Sequence, residues 1–458
     1  MTSRGAGPRL VSTAESLRGE IRLPSDKSIG HRALLFNAMA TGAAEVTLRR
    51  PGADVRNTIG ALRDLSAVDS VEERDGAVLV RIRGAGEPGA AQLAAGDGRR
   101  IDCGNSGTTM RLLCGALAGR STTAATELVG DASLSSRPME RVAGPLRAMG
   151  AEVVTTGGHA PVRILGGRPL GAMHHDLPVA SAQVLGAISL AALAADGTTV
   201  IDTPAETRDH TERLLAWLGA PVRRDGMRTT IDGPAGMQAR SIAVPGDPSS
   251  AAAWLVAATL HPDAELRLAA VSVNPTRMAI VEVLREMGAD IEVIREASPT
   301  ADPEPVGDLV VRSATDLRPI SLHGTRVAPL IDELPLLAMA MSVASGVSEL
   351  RDAGELRIKE SDRIDQVVRH LVAMGVDVEE LPDGWRVTGG RRTRPLPLAV
   401  TTGGDHRIGI AFAVAALTGL SGAATIDRPA CVDVSYPGFW HDLESIADRV
   451  SASVGAAG

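Results

Sequence analysis

One unit recurs six times along this 458-residue chain, and that repetition constrains the fold more than composition does. Each unit opens on a polar cluster, runs into a helix-length stretch rich in Ala, Leu and Gly, passes a short β-type segment and continues into an amphipathic helix. The opening stretches read SIGHRALLFNAMATG from Ser28, TTMRLLCGALAG from Thr108 and SAQVLGAISLAALAADG from Ser181. The later three read SSAAAWLVAATL from Ser249, DELPLLAMAMSVASG from Asp332 and DHRIGIAFAVAALTG from Asp405. Five amphipathic helices close on a common phrase: Leu65-Ser66-Ala67, Met149-Gly150-Ala151, Leu218-Gly219-Ala220, Met287-Gly288-Ala289 and Met374-Gly375-Val376. The sixth unit ends without it. Order and polarity recur along with composition, which separates a true repeat from an Ala/Gly-rich chain echoing itself.

The opening stretches are apolar nearly all round and belong inside a domain. The second helices, such as ERLLAWLGA and DQVVRHLVAMGV, carry a charged face and belong outside or against sheets. The expected fold is α/β of the α+β type: two lobes, each of three βαβαββ units, with buried helices inside mixed sheets in the manner of an inside-out α/β barrel. Aromatic residues are only 2% of the chain, so the cores are built from small and aliphatic side chains that allow close approach. Val244-Pro245-Gly246-Asp247-Pro248 is a turn-rich pause between units three and four. A strand-like stretch over residues 10–22 is placed to pair with the second half. The expected division is a flexible tail over 1–12, one lobe of 13–21 plus 246–458 with units four to six, and another of 22–245 with units one to three. Crossings fall near residues 21 and 245.

A net charge of −8 argues against nucleic acid or an anionic membrane as partner, so anionic ligands must be held by local Lys and Arg clusters. No apolar run reaches membrane-span length and MTSRGAGPRL lacks a signal-peptide core, so a cytoplasmic location is expected. Cys103, Cys114 and Cys431 have neither CxxC spacing nor an even count, which points to a reducing compartment, no structural zinc and buried small residues.

The polar clusters sit where helix starts expose unpaired N–H groups and a positive dipole end. They are Asp26-Lys27-Ser28 with Arg32, Gly104-Asn105-Ser106-Gly107-Thr108-Thr109, Ser181-Ala182-Gln183, Asp247 with Ser249-Ser250, Asp332-Glu333, and Asp405-His406-Arg407. Each alone is as well an ordinary N-cap; six on facing lobes would converge on one anion-binding cleft. Arginines recur near the start of the outer helix at Arg56, Arg137, Arg208, Arg277 and Arg363, the residue type that grips phosphate or carboxylate with two prongs. Arg56 and Arg277 read as surface arginines; the flanks of the other three point to a ligand.

Those flanks, LPSDKSIGHRALL, GNSGTTMRLL, GDASLSSRPM, ASAQV, TRDHTE, IDELP, LRIKESDRI and DHRIGIAF, together resemble the 5-enolpyruvylshikimate-3-phosphate synthase family of enolpyruvyl transferases, in order from about residue 15 to about 445. The resemblance implies transfer of the enolpyruvyl group of phosphoenolpyruvate to the 5-hydroxyl of shikimate 3-phosphate in aromatic amino-acid biosynthesis, with phosphate released and a tetrahedral intermediate on the way. It implies no cofactor, no metal, a monomer, and lobes that close on their ligands. Shikimate 3-phosphate would be held by Lys27, Ser28, Arg32, Ser181, Ala182, Gln183, Arg208, Asp332 and Lys359. Phosphoenolpyruvate would be held by Lys27, Gly107, Arg137, Gln183, Arg363 and Arg407. Asp332 would be the base for the hydroxyl, and Glu360 and Lys27 candidates for proton exchange at the methylene carbon. Away from its motif, Lys359-Glu360 reads more readily as a solvated charge pair at a helix start than as a site. His31 and His406 read as supports, and the resemblance extends to competition by glyphosate beside Gly107. One departure is Val434-Ser435-Tyr436-Pro437, which lacks the lysine that some relatives carry there. Two rivals stand: the sister transferase acting on UDP-N-acetylglucosamine, which often has a cysteine where this chain has Ala132, and a non-catalytic anion-binding repeat protein.

Overall fold

A computed structural model describes residues 7–84, 99–119, 125–295, 302–390 and 395–448. The six opening stretches form helices Lys27–Met39, Gly107–Ala118, Ala182–Ala192, Pro248–Leu260, Leu334–Val343 and His406–Leu417. Five of the polar clusters cap them. Asp26, Ser106, Ser181, Asp247 and Asp405 each accept a backbone N–H of the first turn, a contact that stabilises a helix by about 1 kcal/mol. The fifth helix departs from this: Asp332 and Glu333 precede it in a turn, Pro335 occupies its first turn, and no side chain caps it. Lacking a polar face, these helices are buried, Pro248–Leu260 and Leu334–Val343 along their whole length. Small residues let them touch backbone to backbone: a Cβ on Gly115 would lie 2.0 Å from the carbonyl oxygen of Ala187 on the neighbouring helix.

The closing phrase is a helix stop. Ser66, Gly150, Gly219, Gly288 and Gly375 all adopt positive φ, and the N–H groups of each and of its successor turn back onto the last helical carbonyls. At Gly219 (φ 91°) an added Cβ would meet nothing within 4 Å, so its only penalty is conformational. Gly219→Ala should therefore lower stability by about 1–2 kcal/mol. Gly60→Ala, in equally open space inside the helix Ala53–Asp64, should raise it by roughly 0.5–1 kcal/mol. Urea unfolding of both variants checks this pair of opposite signs; a neutral Gly219→Ala would show that the phrase is not dictated by φ.

Each unit contributes one mixed sheet. In the second, Arg100–Asp102 runs parallel to Ala125–Val129, which pairs antiparallel with His159–Leu165, itself paired with Glu152–Thr156. Five of the six sheets share this pattern. In the sixth, Leu398–Val400 runs parallel to Ala424–Ile426, whose antiparallel partner is Arg9–Val11 from the start of the chain. The expected tail over 1–12 is corrected accordingly. Residues 1–6 lie outside the described residues, but 9–11 form a strand, because a last unit without its own hairpin leaves an open sheet edge. Leu17–Arg22 pairs parallel with Ala264–Ser272, the partnership expected of the stretch 10–22. Among the described residues no sheet closes on itself, so the likeness to a barrel goes no further than helices enclosed by sheets.

The chain forms two compact units: unit 1 is Met1–Leu23, Gly246–Ala297 and Val306–Gly458, and unit 2 is Pro24–Pro245 with Ser298–Pro305. Each has its own hydrophobic core. Unit 1 gathers most of the few aromatics, with Trp254 stacked on Phe439 and donating its indole N–H to the Tyr436 hydroxyl at 2.7 Å. The sequence carries no signal that residues 302–305 belong with unit 2.

Candidate active site

In unit 2 the helix starts gather cations. Lys27 is the first residue of its helix and lies 3.3 Å from Asp54. One turn on, buried Arg32 donates from Nε to Thr211 Oγ1 at 2.8 Å, from Nη1 to the Ser28 carbonyl at 3.1 Å and from Nη2 to the Ala182 carbonyl at 3.0 Å. Burial pulls its pKa down to about 10, with Glu212 and Asp26 opposing, so it stays charged at neutral pH. It ties the first helix start to the third.

Gln183 bridges the second and third helix starts. Its Oε1 accepts from Arg111 Nη1 at 2.5 Å and its Nε2 donates to Thr108 Oγ1 at 2.9 Å. Arg137 reaches the same loop, donating to Asn105 Oδ1 at 2.7 Å. Gly107 lies between the arginines: a Cβ there would sit 2.9 Å from Arg111 Nη1 and 3.5 Å from Arg137 Nη1. Burial lowers the pKa of Arg111, and the charges of Arg137 and Arg141 lower it further. Cations held this close call for an anion among them.

The TRDHTE stretch is held residue by residue. Arg224 donates to the Thr207 carbonyl, Asp209 pairs with Arg213, His210 with Glu304, Thr211 accepts from Arg32 and Glu212 from Thr229. Arg208, half-buried, lies in the middle of this scaffold. His31 is a support as expected. Its Nδ1 meets Thr58 Oγ1 at 2.6 Å, and burial, with Lys27 and Arg32, keeps its pKa well below the usual histidine range.

In unit 1 the centre is Arg363, 1% exposed. Its Nε donates to Asp405 Oδ2 at 2.8 Å, its Nη2 donates to Glu360 Oε2 at 2.6 Å, and its Nη1 lies 3.7 Å from Asp332 Oδ1. Three carboxylates from three separate segments thus surround one guanidinium. Lys359 donates to Glu355 at 2.6 Å, and Arg407 Nη1 reaches the Ser249 carbonyl at 3.5 Å. Among the described residues, Arg363 Nη1 and Arg407 Nε have no hydrogen-bond partner. Arg277 corrects its surface reading: it is buried and donates to Asp247 and Ser249 at 2.8 and 2.9 Å, because a buried guanidinium needs the counter-charge that Asp247 supplies. Arg56, half-exposed and paired with Glu73, is a surface residue. Val434 is an exposed apolar side chain. One cluster in the described residues has metal-ligand spacing, His174, Asp176 and Asp202. Arg228 already clamps both oxygens of Asp202, at 2.8 and 2.7 Å, which makes it a surface charge network.

The family model described as EPSP synthase (3-phosphoshikimate 1-carboxyvinyltransferase) matches residues 11–443. The chain belongs to this family. It is 46% identical over 94% of its length to the 3-phosphoshikimate 1-carboxyvinyltransferase of Roseiflexus castenholzii, covering 98% of that protein. It is 43% identical over 96% of its length to the enzyme of the same name from Geobacillus thermodenitrificans, covering 99% of it. A solved structure of EPSP synthase from Acinetobacter baumannii superposes with a TM-score of 0.85 at 37% identity, covering 96% of this chain and 98% of that one. The chain is a transferase that moves the enolpyruvyl group in the shikimate pathway. No helix among the described residues is long and apolar enough to cross a membrane.

Gln183, Arg137 and Gly107 are expected from the sequence, whereas Arg111, which donates to Gln183 and would meet a Cβ added at Gly107, is not. Its signal was the GTTMR spacing: one turn into a buried helix, an arginine must reach back towards the helix start. Glu304 was missed as well.

Proposed function

We propose that this chain transfers the enolpyruvyl group of phosphoenolpyruvate to the 5-hydroxyl of shikimate 3-phosphate, with Asp332, Glu360 and Lys27 as its catalytic groups, and that it works as a cytoplasmic monomer without metal or organic cofactor. Its lobes correspond to units four to six and one to three. The observation that carries this reading is the convergence of Asp332 and Glu360 on Arg363. A base, a proton-exchange group and an anion-gripping cation stand side by side.

The 5-hydroxyl attacks C2 of phosphoenolpyruvate and passes its proton to Asp332, while the methylene carbon gains a proton from Glu360 or Lys27. In the tetrahedral adduct that results, C2 carries both the ether and the phosphate. Departure of phosphate and loss of a methyl proton then restore the double bond. Lys27, Gly107, Arg137, Gln183, Arg363 and Arg407 bind phosphoenolpyruvate. Lys27, Ser28, Arg32, Ser181, Ala182, Gln183, Arg208, Asp332 and Lys359 bind shikimate 3-phosphate. Fixed cations and positioned acid–base groups meet the needs of this route. Phosphate release from a mixture of protein, phosphoenolpyruvate and shikimate 3-phosphate tests it; no release, or release with UDP-N-acetylglucosamine instead, would overturn it.

Glyphosate should inhibit in competition with phosphoenolpyruvate. A methyl group at Gly107 would force Arg111 to shift and shorten the space available to the longer inhibitor. Gly107→Ala should therefore weaken inhibition by about 10–200-fold, the range one methyl group commands in a shaped pocket, and phosphoenolpyruvate affinity by much less. Equal losses for both ligands would remove Gly107 from the role of discriminator.

A further inference from the structure

Strands Asp290–Arg295 and Val306–Arg312 pair antiparallel in a sheet of unit 1, yet Glu304, in the ten residues of sequence between them, belongs to unit 2. Hairpins usually close in about 2–5 residues, so this one is far longer than the turn requires. Near its end, Glu304 is 2% exposed. Loop carboxylates are normally left in water, and burying one is costly unless a partner meets it. The partner here is His210, fully buried within unit 2, whose Nδ1–H donates to Glu304 Oε1 at 2.6 Å. His210 Nε2 has no hydrogen-bond partner among the described residues, so the bond to Glu304 is what orients the ring.

His210 begins the helix His210–Trp217, between Arg208 and Thr211. Thr211 accepts from Arg32, and the charge of Glu304 is close enough to help hold Arg32 protonated. We propose that Glu304 is a positioning residue for shikimate 3-phosphate: by fixing His210 it sets the turn that presents Arg208 and, through Thr211, Arg32 to that substrate. The inference rests on the assignment of Arg208 and Arg32 to shikimate 3-phosphate made above. It gives the burial of a loop carboxylate a purpose, since Glu304 and His210 both lie in unit 2 with Arg208 and Arg32.

The test uses full-length Glu304→Ala, Glu304→Gln, Glu304→Asp and Arg208→Ala. Steady-state kinetics would be combined with calorimetric binding of shikimate 3-phosphate and of shikimate. Glu304→Ala should raise KM for shikimate 3-phosphate about 10-fold or more, since misplacement away from the chemistry is costly, with kcat and KM for phosphoenolpyruvate changed less than about twofold. Glu304→Gln keeps an oxygen to accept the imidazole N–H and should recover most of that loss. If Glu304→Ala does not fold, Glu304→Asp, which withdraws the carboxylate by one methylene, should show the same selective rise. An unchanged KM for shikimate 3-phosphate in a folded variant, or equal rises for both substrates, overturns the inference. Arg208→Ala separates the two levels. If it weakens shikimate and shikimate 3-phosphate equally, the substrate assignment fails. If it is selective for the phosphate while the Glu304 variants are silent, only the inference fails.

Discussion

Asp332→Asn is expected to cut turnover by about 10²–10⁴-fold, the usual worth of a general base, while both substrates still bind within a few-fold of wild type. Asp332 is half-buried in the turn before Leu334–Val343. Its contact with Arg363, at 3.7 Å, is beyond hydrogen-bond length. Arg363 is held instead by Asp405 and Glu360. Removing the charge of Asp332 therefore leaves the arginine in place, and the amide keeps the shape of the carboxylate. What the amide cannot do is accept the proton of the attacking hydroxyl. Single-turnover rates with calorimetric binding of shikimate 3-phosphate check this, and near-normal turnover would remove Asp332 from the role of base.

The repeat was legible because it is written in residues that have no other use. A helix apolar on every side must be buried, and a glycine after Met or Leu at the end of an amphipathic helix must adopt positive φ. Ser66 does the same without being glycine, which is why that phrase is the least recognisable of the five. The missed strand Arg9–Val11 has a different cause: three residues carry no period, and their partner at Ala424–Ile426 lies at the far end of the chain. Site residues in long motifs were legible for a similar reason to the helices, since polar groups crowd the start of an otherwise apolar stretch. Arg111 and Arg277 were harder. The spacing of Arg111 marks it only once its apolar helix is known to be buried, and only packing shows that Arg277 pairs with Asp247 thirty residues earlier. Glu304 lay furthest from reach, because its partner His210 is 94 residues away in the other half of the repeat.

Arg363→Ala is expected to lower the stability of unit 1 by about 3–5 kcal/mol, the cost of breaking a buried ion pair by removing one partner, and to raise KM for phosphoenolpyruvate sharply. Asp405 is fully buried. Burial pushes its carboxyl up, and the attraction of Arg363 more than reverses this, holding it below the ordinary carboxylate range. Without the arginine the charge loses its main counter-charge, although His406, the Ser361 hydroxyl and the Arg407 N–H still favour it. The variant should escape part of its penalty by taking up a proton, which gives the loss a pH signature. A carboxyl with a depressed folded pKa contributes stability above its unfolded value of about 4, and that contribution is lost as pH falls through the folded value. The gap between wild type and Arg363→Ala should therefore be widest near neutral pH and narrow in acid below about pH 4. Arg363→Lys retains a positive charge but not the fork that meets both Asp405 and Glu360, and should fall between the two. Urea-unfolding midpoints across this pH range decide the matter: a gap that stays constant would assign the loss to packing around the guanidinium and not to its charge.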